Sequence, residues 1–288
     1  MIKHPELHLY APFKNGYVPS KTISQYKAIH EYIKDEQAFL AHAPEIHWGD
    51  GVKVPWPMWR NGPDPSSKPP CGDCVPVAAG HLVMAYTGAA GDLFVPTTDD
   101  IIKVYSDVTG FDDSQWDSQG NNPTDNGTQP IDLLNYWKSA GIAGHKIGAF
   151  VKGYPQNINH IKAGIAWFGG AFTAITVYQF MEDQFNAGAD WKVPDGAAIS
   201  DSKALGGHGV PLIGFLPDPP VRPPYGDFDL ITWAKSVLTS YNAFWGISVE
   251  VWFPISLDWV QGGKSPNGFD MEQLLADLQL VQARDSGN

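Results

Sequence analysis

Cysteine is nearly missing from this chain: its 288 residues hold two, Cys71 and Cys74. That count alone excludes a disulfide scaffold. Charge is also scarce, at 17% of residues, and it leans acidic, with 19 Lys+Arg against 31 Asp+Glu and a formal net charge of −12. No basic cluster is available to neutralise phosphates, so nucleic acid is not expected as a partner. No apolar run approaches the ~18–20 residues of a membrane span. The opening residues, MIKHPELHLYAPF, lack the apolar stretch of a secretory signal. The expectation is a cytoplasmic protein, with a virion as the alternative location.

Aromatic and turn-forming residues are abundant. The chain carries 11 Trp, 14 Phe and 11 Tyr, 43% of it is hydrophobic, and it holds 30 Gly and 24 Pro. This composition supports a sizeable core joined by many turns rather than wholesale disorder.

Periodicity divides the chain in two. Over 22–42, Tyr26, Ile29, Ile33 and Leu40 recur at helical spacing. The stretch 48–70 has no regular pattern and reads as a Trp/Pro-rich extended segment lying on a surface. Helices are expected at about 75–87, 99–108, 130–139 and 157–168, with a polar loop over 110–130. In the first of these, Pro76 suits the first turn, where its missing N–H costs nothing. The second half changes character. Phe172–Tyr178, Gly209–Phe215, Phe228–Trp233 and Ile247–Phe253 read as strands. With no long helices between them, they predict an antiparallel sheet. A last helix is expected at 271–282, with Asp270 as N-cap and Gln273 at capping-box spacing. The fold class is therefore α+β: an N-terminal helical half packed on a C-terminal antiparallel β half, with a cleft between them. Its parts are an arm over 1–60, the body over 61–260 and a C-terminal helix over 261–288.

Chemistry gathers at Cys74. A thiol at a helix start meets the positive end of the helix dipole, which eases ionisation to the nucleophilic thiolate. His208, where a glycine-rich turn enters a buried strand, is the best candidate base. The cysteine pair has two other readings. A dithiol redox site requires a preceding strand, and Ser66-Ser-Lys-Pro-Pro70 is not one. Zinc held with His4 and His8 requires the arm to fold onto the helix start. No metal and no cofactor are expected.

Cys71-Gly-Asp-Cys74-Val-Pro-Val-Ala-Ala resembles the nucleophile block of the papain-like cysteine peptidases, and the Cys74–His208 separation falls within that family's window. Three further blocks resemble the family in the same order: Asn126-Gly-Thr with the helix that follows, Gly169-Gly-Ala-Phe-Thr-Ala-Ile-Thr-Val177, and Gly207-His208-Gly-Val-Pro-Leu-Ile-Gly-Phe215. The resemblance, to a divergent bacterial or phage-type member, implies a papain-like fold and a thiol hydrolase acting on peptide or amide bonds. Cys74 would attack, His208 would take its proton, and a peptide or protein would be the substrate. It also marks departures. Lys68 stands where the family places an oxyanion-binding Gln, and Thr232 or Asp229 stands in for the Asn that orients the His. Cys71 is left without its family partner and reads as a free thiol. These departures sustain an alternative, a catalytically inactive papain-like scaffold serving in binding or assembly, for instance in a phage particle. In either case the arm is expected to lie where papain-like enzymes carry a propeptide, or to support homo- or hetero-oligomeric assembly.

Overall fold

A computed structural model describes residues 16–20, 45–63, 68–216 and 227–258. The helices expected at 22–42 and 271–282, and the histidines His4 and His8, lie outside the described residues.

The helical half is built around α1 (Cys74–Ala90), with α2 (Thr98–Thr109) and α3 (Pro130–Ser139) against it. α1 ends at Gly91, whose φ of 85° suits a left-handed cap. Periodicity predicts one apolar face for α1, yet every residue from Cys74 to Thr87 is buried, as befits a helix enclosed on all sides. α2 starts at a capping box in which Asp100 N donates to Thr97 Oγ1 at 3.1 Å and Thr97 N donates to Asp100 Oδ2 at 2.8 Å. α3 begins with Pro130 in its first turn.

The β half contains β1 (Ile46–His47), β2 (Ile147–Gly153), β3 (Ala171–Tyr178), β4 (Ala204–Phe215), β5 (Asp227–Thr232), β6 (Lys235–Ser240) and β7 (Ser248–Ser256). The order is β2-β7-β3-β4-β5-β6, with β1 paired to β4, and every pairing is antiparallel. Helices α4 (Ile158–Phe168), α5 (Gln179–Asn186) and α6 (Tyr241–Ile247) flank the sheet. One core lies between the sheet and these helices, around Phe172's neighbours Ala171 and Ile175 together with Phe215, Phe228 and Phe253. A second core joins α1 to the other face of the sheet through Phe150, Phe172 and Trp252.

The expected α+β architecture is present. Five elements went unforeseen: β1, β2, α5, β6 and α6. The seven-residue α6 is too short to display a period, and its start is set by Ser240 Oγ, which accepts from Ala243 N at 3.3 Å. Trp233, expected in a strand, instead forms a two-residue turn with Ala234 at φ 43° and 62°. These are left-handed conformations that favour glycine. Among the described residues, no helix is long and apolar enough to cross a membrane.

Candidate active site

Cys74 is the first residue of α1, and the 71–73 loop delivers it there. Three hydrogen bonds fix that loop to the cleft's other rim. Gly72 N donates to Asp125 Oδ1 at 2.8 Å, Tyr105 OH donates to the same oxygen at 2.7 Å, and Gly127 N donates to Tyr105 OH at 3.0 Å. Tyr105 and Asp125 drew no attention in the sequence. Asp125 is one of several acids in a polar loop, and only the folded chain separates it from the rest.

Strand β4 closes on the helix start at Gly209. A Cβ there would stand 3.1 Å from the Val75 Cα and 3.2 Å from the Cys74 carbonyl oxygen, so glycine permits the approach. Gly209 N donates to Cys74 Sγ at 3.3 Å. The residue before it on the same strand is His208. Its Nε2 is hydrogen-bonded to Thr232 Oγ1 at 2.9 Å, and its ring stacks on Trp233 with centroids 5.0 Å apart. The Nδ1 atom is buried without a hydrogen-bond partner among the described residues.

Residues 16–20 (Gly-Tyr-Val-Pro-Ser) run through the cleft over this pair. Gly16 N donates to Cys74 Sγ at 3.3 Å. Thr128 N donates to Gly16 O at 2.6 Å, Val18 N donates to Thr128 O at 2.9 Å, and Tyr17 N donates to Gly207 O at 3.2 Å. The strap is therefore strung between the helical rim and strand β4. A Cβ on Gly16 would lie 1.8 Å from Gly72 O, so only glycine fits over the sulfur.

Enclosure sets the charge state. Burial pushes the Cys74 thiol up to about 12, against the stabilising N–H groups of Gly209 and Gly16. It pushes the His208 imidazole down to about 3. Under the strap, the two groups are a thiol and a neutral imidazole. Cys71 and Cys74 are both free, and burial raises the Cys71 thiol too.

No family model matches the chain, and no curated protein does. Solved structures do. The cysteine protease xylellain from Xylella fastidiosa superposes with a TM-score of 0.58 at 12% identity, covering 84% of this chain and 96% of that one. The fold is papain-like. ProCathepsin B S9 from Trypanosoma congolense gives a TM-score of 0.50 at 11% identity, over 84% of this chain and 86% of that one. Procathepsin L 3 from the larval midgut of Tenebrio molitor gives 0.50 at 11% identity, over 87% and 78%.

Within this papain-like frame, His208 is hydrogen-bonded to Thr232, and its chain neighbour Gly209 reaches Cys74 Sγ. Asp229 and Lys68 lie elsewhere. Asp229 accepts from Ser236 Oγ at 2.5 Å and faces His47 Nδ1 at 3.6 Å. Strand alternation explains this: residues three apart in β5 point to opposite faces, so Thr232 and Asp229 cannot both meet His208. Lys68 is exposed, and Asp113 Oδ2 accepts from its ammonium at 2.6 Å, so the cation is committed to that carboxylate. His81, two turns along α1, is buried against Pro57 O at 2.8 Å and beside Trp59, a structural place. Among the described residues, no group of three or more His, Cys, Asp or Glu could hold a metal ion.

Asp73, fully buried next to Cys74, carries a pH dependence. Burial pushes its carboxyl up to about 8, against the pull of Arg60 and Asn61. The folded chain thus holds a proton that the unfolded chain has lost above a pKa of about 4. Stability falls as pH rises from about 4 to about 8 and levels off above that. Asp73→Asn is expected to raise the melting temperature at pH 8.5 by several degrees more than at pH 4.5. Equal shifts at both pH values in thermal melts would count against a protonated Asp73.

Proposed function

We propose that the protein is a thiol hydrolase of peptide or amide bonds, held closed by residues 16–20. The observation that carries this reading is the meeting at Cys74 Sγ of strand β4, which bears His208, with a peptide segment already lying in the cleft. With Nε2 tied to Thr232, Nδ1 is the ring nitrogen left to exchange a proton with the thiol. Cys74 attacks the carbonyl carbon as its proton passes to His208. The imidazolium protonates the leaving amine, and water then resolves the acyl-enzyme. Backbone N–H groups at the start of α1 face the developing oxyanion. Thr232 serves as a neutral positioning residue, in place of a carboxamide.

The strap is not itself a substrate. Its amide presents an N–H edge to the sulfur, whereas attack requires the face of a carbonyl. Removing the strap hydrates the site, which lowers the thiol pKa and raises that of the imidazole, since burial is the largest cause of both shifts. A competing reading, an inactive scaffold whose cleft is permanently filled, draws support from the uncharged state of Cys74 and His208.

One experiment separates the two. A Gly16→Ala chain, in which the strap no longer fits, is screened against fluorogenic peptide amides. Turnover is expected to vanish on alkylation and to fall at least about a thousandfold in Cys74→Ser and His208→Ala. Thr232→Val is expected to lose about tenfold in kcat with KM little changed, because the base remains but is less well oriented. No turnover of any peptide amide, with Cys74 labelling no faster than Cys71, would leave the scaffold reading.

A further inference from the structure

The chain holds no covalent tie across the helical rim of the cleft, because both of its cysteines are free. Two side chains bridge that rim instead. Tyr105, on α2, is buried and stacks on Phe111 with centroids 4.7 Å apart, in a small apolar cluster that also contains Cys71. Its hydroxyl donates to Asp125 Oδ1 and accepts from Gly127 N, and the same Asp125 oxygen accepts from Gly72 N. A relay of phenol and carboxylate thus runs from the loop just before Cys74 to the backbone just before Thr128, which grips the strap through Gly16 O and Val18 N. A Cβ on Gly72 would stand 3.1 Å from Asp125 Oδ1, 3.4 Å from Tyr105 OH and 3.3 Å from Gly16 Cα. Relay and strap therefore meet at one glycine.

We propose that Tyr105 and Asp125 are positioning residues: together they fix the distance between the loop that carries Cys74 and the rim that holds the occupant of the cleft. This rests on the reading of Cys74 as the nucleophile and names what aligns it. Neither residue touches a reacting atom. A phenol suits the middle of such a relay because one oxygen both donates and accepts. Burial and the Asp125 carboxylate keep the phenol protonated, so its hydrogen points to Asp125 and a lone pair faces Gly127 N. Phe111, packed on the ring, keeps the hydroxyl from wandering. Hydrogen bonds to a carboxylate are short and strong, and the two here are 2.7 and 2.8 Å. The consequence for the chemistry is one of alignment. Cys74 Sγ accepts from Gly209 N on strand β4, a contact that stabilises the thiolate. A loop free to slide by about 1 Å would loosen that contact and move the sulfur off the line of attack, a misplacement that costs up to about a hundredfold in rate.

The test compares Tyr105→Phe, Asp125→Leu and Asp125→Asn in the full-length Gly16→Ala chain, whose sulfur is open to reagent and substrate. Tyr105→Phe keeps the ring on Phe111 and removes no charge, so Asp73, Asp125, Arg60 and Asp113, the ionisable groups around the 71–73 loop, all stay. It is expected to move the pH midpoint of Cys74 alkylation by iodoacetamide up by at least about half a unit, because Gly209 N supports the thiolate less well. With fluorogenic peptide amides, Tyr105→Phe and Asp125→Leu should lose about tenfold to a hundredfold in kcat, with KM changed by less than about twofold. Asp125→Asn keeps an acceptor oxygen for both donors and should recover most of that loss. A merely structural contact would lower the melting temperature and move none of these readings. An unmoved midpoint in Tyr105→Phe, or a kcat for Asp125→Asn no better than for Asp125→Leu, would overturn the proposal. Should Asp125→Leu fail to fold, the midpoint in Tyr105→Phe decides alone. Because that midpoint is read without turnover, a shift in a chain that cleaves no peptide amide would sink the proposed activity and spare this inference. Cleavage with an unmoved midpoint would do the reverse.

Discussion

Alanine at position 16 should raise the alkylation rate of Cys74 at pH 7 by about a hundredfold or more. The methyl group would have to stand 1.8 Å from Gly72 O, and that carbonyl belongs to a loop pinned through Asp125. Neither side can yield cheaply, so the strap leaves. Its departure opens the sulfur to reagent and removes the largest cause of its high pKa, which is burial. Each unit by which that pKa falls multiplies the thiolate fraction tenfold. Iodoacetamide labelling followed by mass spectrometry reads the rate, and Cys71, buried outside the cleft, is the internal reference. Unchanged labelling would mean that the segment does not guard the nucleophile.

The largest effect on stability is expected at Arg60. Its side chain is 1% exposed, and its guanidinium is ion-paired with Asp113. Nε and Nη2 both donate to Pro69 O, at 3.2 and 2.6 Å, while Cys71 N donates to Arg60 O at 2.8 Å. One residue thus joins Pro69, the 113 loop and the approach to Cys74. Arg60→Ala removes the guanidinium's hydrogen bonds to the Pro69 carbonyl and one partner of Asp113, which keeps Lys68 and Trp116, at a cost of about 2–4 kcal/mol. That is a large share of the ~5–15 kcal/mol that holds an ordinary domain folded. Urea titrations should show the midpoint fall accordingly. Asp113→Asn, which keeps two of the guanidinium's acceptor contacts, should lose less. Comparable losses would mean that the Pro69 contacts contribute little.

The sequence disclosed the helices well because their signals are local. Pro76, the Thr97–Asp100 box and Pro130 each mark a helix start in the element where it forms. Strands with a long buried run, such as Gly209–Phe215, were equally plain. The hidden elements depend on partners distant in sequence. β6 is lysine-, serine- and threonine-rich, and only its pairing with β5 makes it a strand. Cys74 and His208 could be singled out by residue type and place, and Thr232 by its position before Trp233. Choosing Thr232 over Asp229 needed the strand's phase, which alternation supplies once one inward residue is known. Lys68 looked free in the sequence because nothing there announces that Asp113, 45 residues on, claims it. The strap was the least legible part. Five residues without periodicity acquire meaning only through the atoms they meet, and Gly16 is informative only beside Gly72.

The strap and the cleft it fills belong to one chain, so their contest with outside peptides is unequal. Tethered five-residue segments act at an effective concentration on the order of millimolar, whatever the dilution of the protein. A free peptide must outbid that figure to enter, and diluting the sample will not open the site. A cut in the chain anywhere between Ser20 and Glu45 would abolish the advantage at a stroke. The same five residues would then compete on the terms of any free ligand, and dilution would count against them. Hydrolysing one bond outside these five residues would thus weaken their hold on the cleft without altering any of them.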